Sequence, residues 1–258
     1  MQFKTNQQNV RVTSQPSVNI RAFGHKLYSC QNGGTIQVFS HDLAPMHTWS
    51  NPEEWGDVND VTELTDKQIA VAGSKGLFLI SAGGQTTTIL QSGVSCCSCV
   101  VIEDRLFACC KSQQRIAVYE LIKNVWKEQY NIPRAMSSDS CLKLAAVSGA
   151  VNTIIYGYEC SDPATICELS WAGLFMRKCV AKDDAGDYLL CDADAERSIL
   201  VIDKGNDRLK VCDWSNGLTE LNLWPPVRNP KSAVVIKNKL CVAVDDGRRL
   251  ELYAPKDQ

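Results

Sequence analysis

One short pattern returns six times along the chain, and it constrains the fold more than any single motif does. An apolar strand meets a turn of Gly, Asn, Asp, Lys or Arg, and an alternating strand follows. The pattern reads LYSCQNGGTIQVF from Leu27, IAVAGSKGLFLI from Ile69 and LFACCKSQQRIAVY from Leu106. It returns, degraded, as IIYGYECSDPATICEL from Ile154, then as ILVIDKGNDRLKVC from Ile199 and LCVAVDDGRRLELY from Leu240. Successive starts are 42, 37, 48, 45 and 41 residues apart. Such a period holds about four short strands per unit, which is the signature of a β-propeller. The segments alternate at period 2 and are rich in Val, Ile, Leu and Tyr, so helical repeats of similar length do not fit.

The expected fold is therefore all-β: a six-bladed β-propeller with four antiparallel strands per blade, one domain over residues 1–258. Repeats are expected to start near residues 17, 57, 95, 140, 187 and 231. Little chain follows Tyr253 to give the last unit an outer strand. The N-terminal stretch, residues 2–13, is expected to supply that strand and close the ring, because an open ring leaves two unpaired sheet edges.

The unit ILVIDKGNDRLKVCD resembles an NHL repeat: an apolar strand, Asp, a Gly-Asn turn, a basic residue, then an alternating strand. Leu240–Tyr253 and Leu106–Tyr119 resemble it more loosely, and units one, two and four keep only the rhythm. The Trp-Asp ending and Gly-His opening of WD repeats are not found in register. NHL propellers are most often the C-terminal domain of tripartite-motif (TRIM) ubiquitin ligases, where they recruit a substrate protein or bind RNA. No RING, B-box or coiled-coil pattern occurs in this sequence, so the resemblance is to that domain alone. It implies a non-catalytic interaction module that recognises a protein substrate through one face and needs no cofactor.

Charge tests the RNA alternative. Net charge is −2, from 27 basic and 29 acidic side chains, so no global basic field exists. In a propeller the turns between second and third strands share a face with the connections between blades. Those turns hold seven basic residues (Lys75, Lys111, Arg115, Lys204, Arg208, Arg248 and Arg249) against six acidic ones. The connections hold four basic residues, including Arg134 and Arg228, against seven acidic ones. A phosphate-binding face should be strongly basic. Most of these arginines are expected to tie their own turns together, and RNA is the second reading. Candidate binding residues on this face are Lys75, Lys111, Arg115, Arg134, Tyr158, Asp162, Lys204, Arg208, Arg228 and Arg248. The elongated turn GYECSDPATIC of unit four is expected to project from it.

Catalytic and metal readings rank below binding. His25, His41 and His47 all fall in the first unit, so they are not expected to converge on the axis as zinc ligands. Asn19, Asn59 and Asp60 sit near the starts of inner strands, where a calcium-dependent propeller hydrolase would hold its ion. The matching positions of units three, four and six read CCS, KLA and PKS, a poor set for a cation that wants six to eight oxygens. No G-x-S-x-G elbow is present. No metal site is expected.

Thirteen cysteines and a chain long enough to bury its own core suggest reduced thiols in a cytoplasmic protein. No apolar run is long enough for a membrane span, and no membrane partner is expected. Strand alternation points Cys109 and Cys110 to opposite faces and lets Cys97 and Cys99 share one. Trp49 and Trp55 bracket the loop WSNPEEWGD, where packing between blades is favoured over an exposed peptide-binding lip.

Overall fold

The computed structural model describes residues 2–4, 10–64, 68–111, 113, 115–133, 141–147, 153–159, 165–170, 175–180, 188–193, 199–213 and 217–255. The chain is a β-propeller whose blades are antiparallel meanders. Blade one is β3 (Ser17–Phe23), β4 (Lys26–Gln31), β5 (Thr35–Ser40) and β6 (Pro45–Ser50). A single helical turn, α1 (Pro52–Trp55), leads to blade two: β7 (Val58–Glu63), β8 (Ile69–Gly73), β9 (Gly76–Ile80) and β10 (Thr86–Ser92). Blade three is β11 (Cys96–Ile102), β12 (Arg105–Cys110), β13 (Arg115–Ile122) and β14 (Val125–Pro133). Blade four is β15 (Cys141–Val147), β16 (Thr153–Glu159), β17 (Thr165–Ser170) and β18 (Phe175–Val180). Blade five is β19 (Tyr188–Ala193), β20 (Ile199–Asp203), β21 (Arg208–Asp213) and β22 (Gly217–Glu220).

The expectation of six blades of four strands is corrected here: five sheets have four strands, and the remaining sheet is a six-stranded composite. Its backbone is β24 (Ser232–Ile236), β25 (Lys239–Val244) and β26 (Arg249–Pro255). Two short N-terminal strands, β1 (Gln2–Lys4) and β2 (Val10–Val12), pair antiparallel with β26. Beyond β1 lies β23 (Asn222–Trp224), in parallel register. The physical reason is the course of the chain after β22. Leu221 still donates its N–H to the Leu209 carbonyl of blade five, and the chain then runs on, extended, to pair with β1.

Among the described residues, inner-blade strands such as β8, β9, β12 and β20 are packed from both sides, which explains their near-continuous apolar runs. All five residues of β8 and of β9 are buried, while the outer strand β6 is almost wholly exposed. Among the described residues, six apolar clusters each bridge one sheet to the next. Tyr28, Ile36 and Val38 of blade one meet Trp55, Val61 and Phe78. The last cluster sets Val234, Ile236 and Leu250 of the composite sheet against Ile20, Leu27 and Phe39 of blade one. The Asp-Asp-Gly turn of the composite sheet also presses on β3. Gly247 has φ +84°, and a Cβ there would fall 2.1 Å from the Ser17 carbonyl oxygen, so only glycine fits.

Candidate functional site

A polar network runs through the propeller axis, and each of the six inner strands contributes to it. Asn19 and Arg21 lie two residues apart on β3, so they share a face. Asp60 comes from β7, Ser98 from β11, Lys143 from β15, Asp192 from β19 and Ser232 from β24. A register shift immediately precedes Asn19, Asp60, Ser98 and Asp192 in the ladders of their blades. A bulge inserts one residue and re-aims its successors, and here its repetition marks the polar positions of four inner strands.

Asp60 is the centre. One carboxylate oxygen accepts from Asn19 Nδ2 at 2.6 Å, Arg21 Nε at 2.7 Å and the Val61 N–H at 2.9 Å. The other accepts from Arg21 Nη2 at 2.6 Å, the Cys99 N–H at 3.2 Å and the Ser98 hydroxyl. Arg21 thus grips Asp60 with two prongs, and its Nη2 also donates to the Leu144 carbonyl at 2.6 Å. Burial works against the guanidinium charge, but Asp60 outweighs it and holds the Arg21 pKa above its ordinary value. Ser98 accepts the Leu144 N–H at 3.0 Å, which ties blade three to blade four.

The other half of the axis is less tightly matched. Lys143 Nζ donates to Asn19 Oδ1 at 2.5 Å and reaches Ser232 Oγ at 3.4 Å. Ser232 Oγ donates to Asn19 Oδ1 at 2.9 Å and accepts the Ile20 N–H at 3.1 Å. Burial, reinforced by Arg21, lowers the Lys143 pKa. Asp192 lies 3.9 Å from Arg21 Nη1, and burial pushes its carboxyl up to about 6 against the pull of that arginine. Arg21 and Lys143 balance Asp60 and Asp192, so the axis is neutral when all four are charged.

The calcium reading of Asn19, Asn59 and Asp60 meets a different arrangement. The Arg21 guanidinium occupies the place a cation would take against Asp60. Asn59 instead donates Nδ2 to the Cys96 carbonyl at 2.8 Å, tying blade two to blade three. His25 and His41 form an edge-to-face pair at 5.8 Å, and His47 stacks on Trp49. Among the described residues no group of three or more His, Cys, Asp or Glu side chains is arranged to hold a metal ion.

The candidate residues of the turn face are spread over several blades, and the side chains of Lys75, Arg115 and Arg208 are engaged. Lys75 Nζ donates to the carbonyls of Glu53 at 2.6 Å and Pro52 at 3.5 Å, holding α1. Arg115 bonds Gln113 and pairs with Glu128 at 2.8 Å. Arg208 pairs with Glu220 at 2.6 Å. Lys111 is exposed and its N–H bonds the Ser95 carbonyl, while Lys204 is half-buried in its turn. Arg228 and Arg248 are exposed, and their backbone carbonyls accept from Asp245 and Thr13 respectively. Tyr158 sits on β16 opposite Leu142, with its side chain outside the described residues. Arg134, Asp162 and the elongated turn at 160–164 also lie outside them.

The Trp49–Trp55 loop is packed. Trp55 is fully buried and donates Nε1 to Thr86 at 3.0 Å, and Asn51 caps α1 by accepting the Glu54 N–H at 3.2 Å. Among the described residues the large exposed aromatic is Trp224, at 68% exposure on β23. Its place in the proline-rich connector was the available signal in the sequence.

Alternation alone misplaces one cysteine pair. The bulge in β11 puts Cys96 and Cys99 in the cluster between blades two and three, and Cys97 in the cluster between blades three and four. Cys97 and Cys99 therefore do not share a face. Cys109 and Cys110 fall in different clusters, as alternation requires.

No family model matches the chain, and no curated protein matches its sequence. Solved structures do match its fold. An auxiliary nutrient binding protein from Bacteroides thetaiotaomicron is similar at TM-score 0.70 and 9% identity, over 93% of this chain and 69% of that one. Virginiamycin B lyase from Staphylococcus aureus is similar at TM-score 0.64 and 11% identity, over 96% of this chain and 89% of the lyase. Raptor from Chaetomium thermophilum is similar at TM-score 0.64 and 14% identity, over 99% of this chain but 29% of Raptor. At these identities the likeness establishes a β-propeller fold.

Proposed function

We propose that this propeller is a non-catalytic interaction module that binds a protein partner through one face. Its NHL-like units make the substrate-recognition domain of a tripartite-motif ubiquitin ligase the best finer reading, with the cytoplasm as its compartment. The observation that carries the module reading is the axis. Arg21, Asp60, Asn19 and Ser98 satisfy one another there, so the inner strands form a rigid hub and leave the turns and connections as the presenting surface. A nutrient binding protein among the structural neighbours favours the same class. On this reading the N-terminal strands close the ring. The Thr13 hydroxyl, 3.0 Å from the Arg248 carbonyl, and the Ile20–Ser232 bond support that closure.

RNA ranks below protein because Lys75, Arg115 and Arg208 already have partners in α1, β14 and β22 respectively. Binding to a random RNA pool at 50 and 200 mM salt should be weak at both. Tight binding that falls steeply with salt would reverse the ranking. The test of the main reading is partner capture with wild type and an Arg228→Glu, Arg248→Glu double variant. Both should melt alike, because exposed substitutions change stability by roughly 0.5 kcal/mol or less. A defined set of proteins should be recovered by wild type and lost from the variant. An identical set from both would remove this face from the proposal.

The exposed Arg208–Glu220 pair gives an independent check on the structural role of the turn arginines. Arg208→Ala should cost at most about 1 kcal/mol in a urea melt, with the loss shrinking at high salt.

A further inference from the structure

We propose that Cys96 and Cys110 form an oxidative modification site: a cross-strand thiol pair that a peroxide converts to a disulfide. The two residues are direct partners in the β11–β12 ladder, and their Sγ atoms stand 3.8 Å apart. The adjacent hydrogen bond, Lys111 N–H to the Ser95 carbonyl at 2.9 Å, places the ladder bond on the neighbouring pair. Facing residues between such bonds have their Cα atoms closest, within the range a disulfide spans. The sulfurs, 3.8 Å apart, must approach to about 2.05 Å to bond.

Both thiols are buried among Ala70, Leu77, Leu106 and Ala117. Such surroundings oppose thiolates; the Cys96 thiol is held well above its ordinary range by Cys110 beside it and by burial. A disulfide carries no charge, so the same surroundings do not penalise the product. The path inward runs through blade two. Cys110 donates its S–H to Gln91 Oε1 at 3.1 Å, and Gln91 Nε2 bonds the exposed Gln113 at 3.0 Å. Half-buried Gln91 thus lies between Cys110 and solvent. Cys110 is accordingly the first sulfur to react and Cys96 the second.

The step balances with one hydrogen peroxide. The Cys110 sulfur attacks a peroxide oxygen, an S–O bond forms as the O–O bond breaks, and water leaves behind a sulfenic acid. The Cys96 sulfur then attacks the Cys110 sulfur, an S–S bond forms as the S–O bond breaks, and a second water leaves. The two thiols lose two electrons and two protons, and the peroxide gains them.

The remaining cysteines of this stretch provide internal controls. Cys97 and Cys109 pack on the opposite face, with Cys97 Sγ directed at the Cys109 carbonyl at 3.5 Å. Cys99 shares the face of Cys96, but its Sγ points to the Ala70 carbonyl at 3.7 Å.

Trypsin makes the test direct, because Arg105, the first residue of β12, lies between Cys96 and Cys110 along the chain. Folded protein is treated with hydrogen peroxide, blocked with iodoacetamide and digested without reduction. The expected product is peptide 76–105 joined to peptide 106–111, lighter by two hydrogens than their sum, with fragmentation placing the bond between Cys96 and Cys110. The joined peptide should vanish in C96S and in C110S and persist in C97S and C109S, with far-UV circular dichroism confirming that each variant folds. A variant that does not fold leaves the fragment map of the wild-type peptide as the deciding measurement. Absence of the joined peptide after exhaustive oxidation, or a bond mapped to Cys97 or Cys109, overturns the proposal.

Discussion

Replacing Arg21 with methionine will lower stability by about 3–5 kcal/mol, the usual cost of leaving one partner of a buried ion pair without the other. Asp60 has no exposed side-chain surface, so its charge has no recourse to water once the guanidinium is gone. Methionine roughly fills the space, which separates the electrostatic loss from a cavity effect. The Leu144 carbonyl also loses its donor, and with it a tie between blades one and four. Urea denaturation monitored by tryptophan fluorescence should show the midpoint fall with little change in slope. Asp60→Asn should lose a comparable amount, because Arg21 then faces a neutral group. The double variant should lose clearly less than the sum of the singles, since each removes the partner the other would strand. A loss below about 1 kcal/mol for Arg21→Met would mean that water reaches the axis and that the hub is not what fixes the blades.

That hub also shows which parts of the molecule the sequence announces. Strand rhythm is a local property. Apolar residues recur because strands such as β8 and β12 are packed from both sides, so the repeat and the all-β class are legible from runs such as IAVAG and LFACC. The axial residues are legible only as anomalies: Asn19 and Arg21 in SVNIRAF, Asp60 in VNDVTE, Lys143 in CLKLAAV. Read as oxygen ligands, CCS, KLA and PKS look unsuited to an ion. The same triplets contain Ser98, Lys143 and Ser232, three members of the network the chain builds instead. What conceals them is distance along the chain. Arg21 finds Asp60 at 39 residues and Leu144 at 123, and Ser232 finds Asn19 at 213. The bulges are hidden for a related reason. One inserted residue reverses the face of every later residue in its strand, so strict alternation pairs Cys97 with Cys99 when Cys96 takes that place. The composite sheet depends on β1 and β23 meeting in parallel register, a pairing between residues more than two hundred apart that no local pattern encodes. The turn arginines are the opposite case. Their partners, Glu128 for Arg115 and Glu220 for Arg208, lie within one blade, and a structural role was readable from the repeat itself.

Asp192 makes the second large effect one of pH. Its carboxyl is 26% exposed and titrates near 6 in the fold, against about 3.9 in an unfolded chain. Between those values the folded protein keeps a proton that the unfolded chain has released. Stability contributed by this group is therefore present at low pH and falls as pH rises from about 4 to about 6. Above that window the fold carries a partly buried charge that Arg21, at 3.9 Å, only partly compensates. Asp192→Asn removes the charge and should stabilise the protein at pH 7 by about 1–3 kcal/mol. Other carboxylates run the opposite way. Burial raises Asp203, but Lys210 and Asn206 outweigh it and hold the pKa low, so its contribution is lost as pH falls. The raw stability curve mixes these trends, and the difference between wild type and Asp192→Asn isolates one of them. That difference should be near zero at pH 4, grow through pH 6 and level off above it. A difference that stays flat from pH 4 to pH 7 would show that Asp192 is already ionised at low pH. Arg21 would then be shared evenly between Asp60 and Asp192, and the axis would be one balanced network with no weak side.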